Sequence, residues 1–174
     1  MQENCIRVGI GFATGRKSFQ NVLRSYVYHL EESGFVVPGR VSLTLLVAFD
    51  PAYSCTTRDD YEDMEPRVKR WFDDMAFFSP EDVQNAAEAL VQRGVAPENE
   101  KHLLFGNGYA AQRNIVLYEA MRRHLDNLIF FDDDEYPMAV TNSNSSGVAL
   151  WSGQHVIEAH VKYLRFADVT NGYH

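Results

Sequence analysis

A chain of 174 residues, 45% hydrophobic and 13% aromatic, has enough apolar mass to bury one core, is short for two ordinary domains and is not of disordered composition. Its formal net charge of −8 excludes a broad basic surface for nucleic acid or anionic lipid, so an anionic substrate needs a local counter-charge such as a bound divalent cation. Cys5 and Cys55, without C-x-x-C spacing or a secretory leader, fit a reducing cytoplasmic setting, and no apolar run reaches the roughly 20 residues that cross a bilayer.

The first predicted element is a short strand, Arg7 to Thr14 ("RVGIGFAT"), running into a glycine-containing turn. A helix follows, because Phe19, Val22, Leu23, Tyr26, Val27 and Leu30 recur at helical spacing and Gly34 supplies the stop. After the Pro38–Gly39 turn, "RVSLTLLVAFD" is a nearly continuous apolar run of strand length, as expected where both faces of a parallel strand are covered; it ends in Asp50. From Pro51 to Phe78 the pattern is mixed. An acidic stretch reads as a solvated loop, and "RVKRWFDDMAFF" reads as a helix carrying Val68, Trp71, Phe72 and Met75 inward.

"SPEDVQNAAEALVQRG" is a helix with its punctuation in place: Ser79 caps, Pro80 suits the first turn, Glu81 and Asp82 suit the positive end, and Gly94 stops it. "HLLFG", His102 to Gly106, reads as a short strand leading through "NGY" into another amphipathic helix, "AAQRNIVLYEAMRRHL", built on Ile115, Val116 and Met121. The strand "NLIFF", Asn127 to Phe131, then opens onto Asp132, Asp133, Asp134 and Glu135. Beyond Pro137 come a polar loop, "TNSNSSG", a strand, "VALW", and a segment from His155 that is helix or strand.

Strands alternating with helices predict an α/β fold: a three-layer α/β/α sandwich with a mostly parallel sheet and right-handed crossovers. Such sheets bind ligands beyond the carboxyl ends of their strands. Asp50 and the acidic run after Phe131 should therefore face one crevice.

Adjacent carboxylates raise one another's pKa and repel, a cost that a divalent cation removes. Mg2+ and Mn2+ take oxygen ligands and usually share one or two carboxylates with substrate phosphates. If strand geometry continues past Phe131, Asp132 and Asp134 project to one side and can hold a sugar hydroxyl and a metal respectively. An acidic solvent loop after a strand has the same letters, so the surroundings of the motif decide its meaning.

Those surroundings, "NGYAAQRNIVLYEAMRRHLDNLIFFDDDEYP", resemble the core of GT-A-fold glycosyltransferases, especially the large family-two class. In that class a glycine-bearing turn and an Arg-Asn pair on a helix precede an apolar strand ending in D-x-D. More weakly, "GIGFATGRKSFQNVLRSYVYHL" is similar to the family's first strand, Thr-x-Arg turn and following helix, and "LTLLVAFD" to its second strand. The resemblance implies a GT-A, Rossmann-like domain that binds a UDP- or GDP-linked sugar through Mn2+ or Mg2+. It implies transfer of the sugar, with inversion, to a hydroxyl of a glycan or other acceptor.

Residue by residue, the resemblance implies that Ala13 and Thr14 line the nucleotide pocket and that Asp50 accepts a hydrogen bond from the base. Arg113, with Asn114 beside it, would approach the nucleotide or its phosphates. Asp132 would meet the ribose with Asp133 alongside, and Asp132 and Asp134 would hold the metal. The segment "FDPAYSC" departs from the paired acids and Gly-Ser turn that often follow the family's second strand. No catalytic base is assigned: Asp168 lies too close to the D-x-D to match the family's usual one. Residues 1–174 thus read as a single donor-binding domain truncated before the acceptor-binding part.

A phosphate loop does not fit "GIGFATGRKS", because Ile10 stands where that pattern requires glycine and Arg16 separates Gly15 from Lys17. A sugar-nucleotide nucleotidyltransferase and a non-catalytic nucleotide-sugar-binding domain are the alternatives, since each uses a parallel sheet with strand-end acids. His155 and His160 are disfavoured as metal ligands because hard cations prefer oxygen. Peripheral attachment is the one membrane role left open.

Overall fold

In the structure, a computed structural model, residues 5–105, 108–143, 147–152 and 155–171 are described, those of 139–143 and 147–152 by their backbone course alone. Strand β1 (Ile6–Thr14) sends Val8, Ile10 and Phe12 into one apolar layer, while Gly9 and Gly11 face the other. Helix α1 (Phe19–Ser33) buries its predicted stripe and ends at Gly34, whose φ of 63° is the left-handed conformation a helix stop needs. Strand β2 (Val41–Phe49) pairs in parallel with β1 and is buried along nearly its whole length.

Two short helices, α2 (Asp59–Glu62) and α3 (Pro66–Lys69), lead to β3 (Asp74–Phe78), which adds in parallel to β2. Helix α4 (Pro80–Gln92) carries the predicted cap, with Ser79 and Asp82 bonding reciprocally. After α5 (Lys101–Leu104) and α6 (Tyr109–Arg122), β4 (Asn127–Phe131) returns to the free side of β1. Strands β5 (Met138–Ser143) and β6 (Gly147–Ser152) pair with each other as an antiparallel hairpin, and α7 (Val156–Tyr163) follows.

The main sheet has the order β3-β2-β1-β4 with every pair parallel. One layer packs α1, α3 and α7 on it through Phe19, Leu23, Val68, Ile157 and Val161; the opposite layer packs α4, α6 and Phe105 through Val83, Leu90, Ile115 and Val116. The architecture is thus α/β, three-layered and Rossmann-like. The chain winds one way from β1 to β3 and then crosses to the other side of β1, so the reversal lies between β1 and β4.

Three local expectations are corrected. The helix expected over "RVKRWFDDMAFF" stops at Lys69, and Met75 lies in a strand. Met75 and Phe77 meet one layer while Ala76 and Phe78 meet the other, so the apolar run serves a strand covered on both faces. "HLLFG" is helical over His102 to Leu104 because β4 takes the position beside β1; Leu103 and Leu104 are exposed and only Phe105 enters the core. Thr141 to Ser143, expected in a polar loop, belong to β5, where a partner strand satisfies their backbone. Gly106, Asn107 and residues 144–146 of the expected turn and loop lie outside the described residues. The segment from His155, open in sequence, is helix α7.

Among the described residues no helix is long and apolar enough to cross a membrane.

The glycines of β1 let α6 approach. A Cβ on Gly11 would lie 2.8 Å from Val116 Cγ1 and 3.2 Å from the Phe130 ring, and Val116 is fully buried and β-branched, so it cannot swing aside. Gly11→Ala is expected to lower stability by about 1–3 kcal/mol in urea denaturation, as overpacked cores do. Adding Val116→Ala should recover part of the loss; a Gly11→Ala protein as stable as wild type would show that close approach is not the role of this glycine.

Candidate strand-end acidic site

Parallel pairing brings the ends of β1, β2 and β4 side by side. Thr14 stands opposite Phe49, and the amide of Asp50 extends the ladder by donating to the Thr14 carbonyl (2.9 Å). On the other side, Phe131 pairs with Phe12, which places the acidic run after β4 beside the loop after β1. That run does not continue as a strand. Glu135 N donates to the Asp132 carbonyl (3.2 Å) and Asp132 N to Glu135 Oε2 (3.3 Å), forming a turn that sends neighbouring carboxylates to different partners.

Asp133 is held most fully. Thr14, whose side chain is 1% exposed, donates through Oγ1 to Asp133 Oδ2 (2.7 Å), and Arg16 Nη1 donates to Asp133 Oδ1 (3.0 Å). The Thr14 hydroxyl also lies 3.0 Å from the Arg16 carbonyl; having one proton, it favours the shorter, charge-assisted bond to the carboxylate. The same oxygen accepts from Arg16 N (2.9 Å) and so shapes the turn after β1. Arg16 reaches further: its Nη1 is 3.7 Å from Asp134 Oδ2, and its Nη2 donates to the Tyr53 hydroxyl (3.3 Å). The hydrogen bond with Tyr53, followed by the charge of Asp133, raises the guanidinium pKa.

Tyr53 rests on the β1 loop. A Cβ on Gly15 would meet Tyr53 Cβ at 2.5 Å and the ring at 2.6 Å, so only glycine leaves room for the ring there. Tyr61 steadies the loop after β2, which carries Tyr53, from beneath: fully buried, it stacks on Phe49 with ring centroids 4.5 Å apart and bonds Thr56 Oγ1 at 2.7 Å.

Asp132 turns to α6. Its Oδ1 accepts from Arg113 Nη2 (2.5 Å) and from the Tyr109 hydroxyl, two residues one helical turn apart on the same face. The guanidinium of Arg113 lies over the Tyr109 ring (4.8 Å) and the Phe130 ring (5.4 Å), which fixes its position. Burial pushes the Tyr109 hydroxyl pKa up and its bond to Asp132 pushes it further.

The remaining sequence-predicted residues fall into place around this centre. The Ala13 side chain is buried within β1, leaving its backbone to border the loop. Asp50 Oδ1 accepts from Ala52 N (2.9 Å), an Asx turn at the end of β2. Asn114 donates to the Leu104 carbonyl (2.8 Å), tying α6 to α5. The condition for Asp132 and Asp134 to share a side, continued strand geometry, is not met: Asp133 and Asp134 share Arg16, while Asp132 faces Arg113. His155 bonds Glu158 (2.9 Å) and His160 bonds Thr170 (2.8 Å), both within the C-terminal segment.

Among the described residues no group of three or more His, Cys, Asp or Glu side chains is arranged to enclose a metal. The donors at the β4 end are all carboxylate oxygens, and Asp134 is 76% exposed. That set suits a hard cation that takes its other ligands from a substrate's phosphates, not a cation caged by protein alone.

A concavity of about 620 Å³ lies elsewhere, on the outer side of α1 toward α3. Its arginines are already paired, Arg24 with Glu65 (2.7 Å) and Arg67 with Glu31 (2.5 Å). The strand ends have the stronger claim, because ligands of such sheets bind where the strand order reverses.

Arg16, Tyr53 and Tyr109 are the residues that sequence reading missed. Tyr109, four residues before Arg113 on a predicted helix, carried a usable signal. Arg16 was visible only as part of the Thr-x-Arg turn, with no role attached, and Tyr53 carried no signal, since their contacts bridge loops remote in sequence.

Thr14→Val keeps the shape of the buried side chain and removes its bond to Asp133. Denaturation is expected to show a loss of about 1–3 kcal/mol, with faster hydrogen exchange across 132–135. Unchanged stability and exchange would remove Thr14 from its role as anchor. No family model matches the chain, and no curated protein sequence matches it, so the reading of this site rests on its geometry.

Proposed function

We propose that the chain is the donor-binding part of a GT-A glycosyltransferase, taking a UDP- or GDP-linked sugar together with Mn2+ or Mg2+ and serving its transfer to an acceptor hydroxyl. One observation carries the reading: carboxylates after β4 and two arginines meet where the sheet order reverses, between the ends of β1 and β4.

The chemistry of these groups suits a nucleoside-diphosphate sugar. Asp50, at the end of β2, offers a carboxylate to the N–H donors of a base. Arg113 presents a planar fork that matches phosphate oxygens. Asp132 can accept from a ribose hydroxyl. Asp134, exposed beside Asp133, is the carboxylate best placed to hold a hard cation, whereas Asp132 is turned to Arg113 and does not share its side. When bound, that ion neutralises negative charge on the departing diphosphate. The protein's own residues would fix the donor while the acceptor hydroxyl, giving up its proton to a base that is none of these residues, bonds through oxygen to the sugar carbon and the bond to the diphosphate breaks.

Asp134→Asn tests the assignment. Titration calorimetry with UDP and GDP, with and without Mn2+, should show metal-enhanced binding in wild type and its loss in the variant, with the circular dichroism spectrum unchanged. Equal metal-dependent affinity in both proteins would overturn the role of Asp134. Formation of a sugar nucleotide from a nucleoside triphosphate would instead identify a nucleotidyltransferase.

A further inference from the structure

The concavity between α1 and α3 has no part in the donor-site reading, and its charge is arranged differently from that of the strand ends. Each guanidinium on its wall already has a carboxylate: Arg24 Nη1 meets Glu65 (2.7 Å) and Arg67 Nη2 meets Glu31 (2.5 Å). Arg24 also donates through Nη2 to Asn21 Oδ1 (3.0 Å), so an acid, a guanidinium and an amide form one connected array. Two tyrosine rings border the same space from distant parts of the chain: Tyr28 on α1, 52% exposed, and Tyr136 between β4 and β5, 38% exposed. His29, 8% exposed, lines it as well, its ring set edge-on to that of Tyr28 with centroids 5.9 Å apart. We propose that this concavity binds a neutral saccharide, with the tyrosines as stacking walls and the Asn21–Arg24–Glu65 array as the hydroxyl reader.

Charge selects the class of ligand. An anion would have to part an arginine from its carboxylate in a chain of net charge −8, and a cation would meet two guanidiniums. A neutral ligand rich in hydroxyls leaves both pairs intact. A hydroxyl donates and accepts, so neighbouring ring hydroxyls can donate to Glu65 while accepting from Arg24. The C–H face of a pyranose is apolar and packs on an aromatic face, while a tyrosine keeps its own hydroxyl for the polar edge. Size agrees: about 620 Å³ falls within the roughly 300–1,000 Å³ of small-molecule clefts. A smaller hollow of about 40 Å³ shares Arg24 and Glu65 and runs on toward Gln20 and Met64, so the seam has room for more than one ring.

The test reads amide chemical shifts of the isotope-labelled chain in a chelator, with maltotriose, cellotriose, mannotriose and chitotriose each at about 10 mM, and separately with inorganic phosphate. At least one trisaccharide should shift amides in 21–29, in 65–68 and at 136. Its dissociation constant should change less than about twofold between low and high salt, because no net charge is neutralised. Tyr136→Ala, which removes one exposed wall, should weaken that trisaccharide about tenfold, and Tyr28→Ala should weaken it by a similar factor. No shift at the cavity with any of the four, or shifts there with phosphate and not with a saccharide, overturns the proposal. So does a trisaccharide that binds both tyrosine variants as tightly as wild type. Because no metal or nucleotide is present, these outcomes are independent of whether the strand-end site binds a donor.

Discussion

The strand-end site depends on how the negative charge of Asp133 is compensated. Its two oxygens receive a buried hydroxyl from Thr14 and a guanidinium from Arg16, both delivered by the turn after β1. That pair of bonds fastens the end of β4 to the end of β1 at the place where the sheet reverses direction. Without it, Asp133 and Asp134 would face each other uncompensated and the acidic turn would be held to α6 through Asp132 alone. Through Tyr53 the same arginine reaches the loop after β2, so one cation organises three loops.

The fold serves this arrangement from beneath. Glycines at positions 9 and 11 leave the middle of β1 without side chains on the α6 face, and Val116, Leu125, Leu128 and Phe130 come close against it. The tight approach sets α6 in register with β4, so that Tyr109 and Arg113 near its beginning reach Asp132 just past the end of β4. Packing in the interior thereby fixes the position of charge at the surface. On the opposite face Tyr61, stacked on Phe49, supports the loop that carries Asp50 and Tyr53.

Elements defined by their own periodicity were legible in the sequence. The stripe of α1, the capped start of α4 and the apolar runs of β2 and β4 each state their conformation locally. Where the pattern suited two structures, tertiary context decided. Met75 to Phe78 fit a helix as well as a strand until the uncovered edge of β2 took them, and "HLLFG" had strand composition but no strand beside it to join. For the site, Thr14 and Arg113 entered only through the family resemblance, while the position of Asp50 and of the acids after β4 at the strand ends followed from topology. Which acid meets which partner did not, because the turn at Asp132 to Glu135 breaks the two-residue alternation that a strand would impose. Arg16 and Asp133 are 117 residues apart, and nothing local announces their pairing.

The carboxylates at the β4 end and the arginines facing them are proposed to form together a site for a metal-bound nucleoside diphosphate. Its most direct measurement is a thermal melt of the wild-type chain with UDP and with GDP, each in the presence of Mn2+ and of a chelator. A ligand that binds the folded state raises the midpoint, so one nucleotide should stabilise the protein with Mn2+ and much less with the chelator. A midpoint unmoved by every combination would contradict the claim.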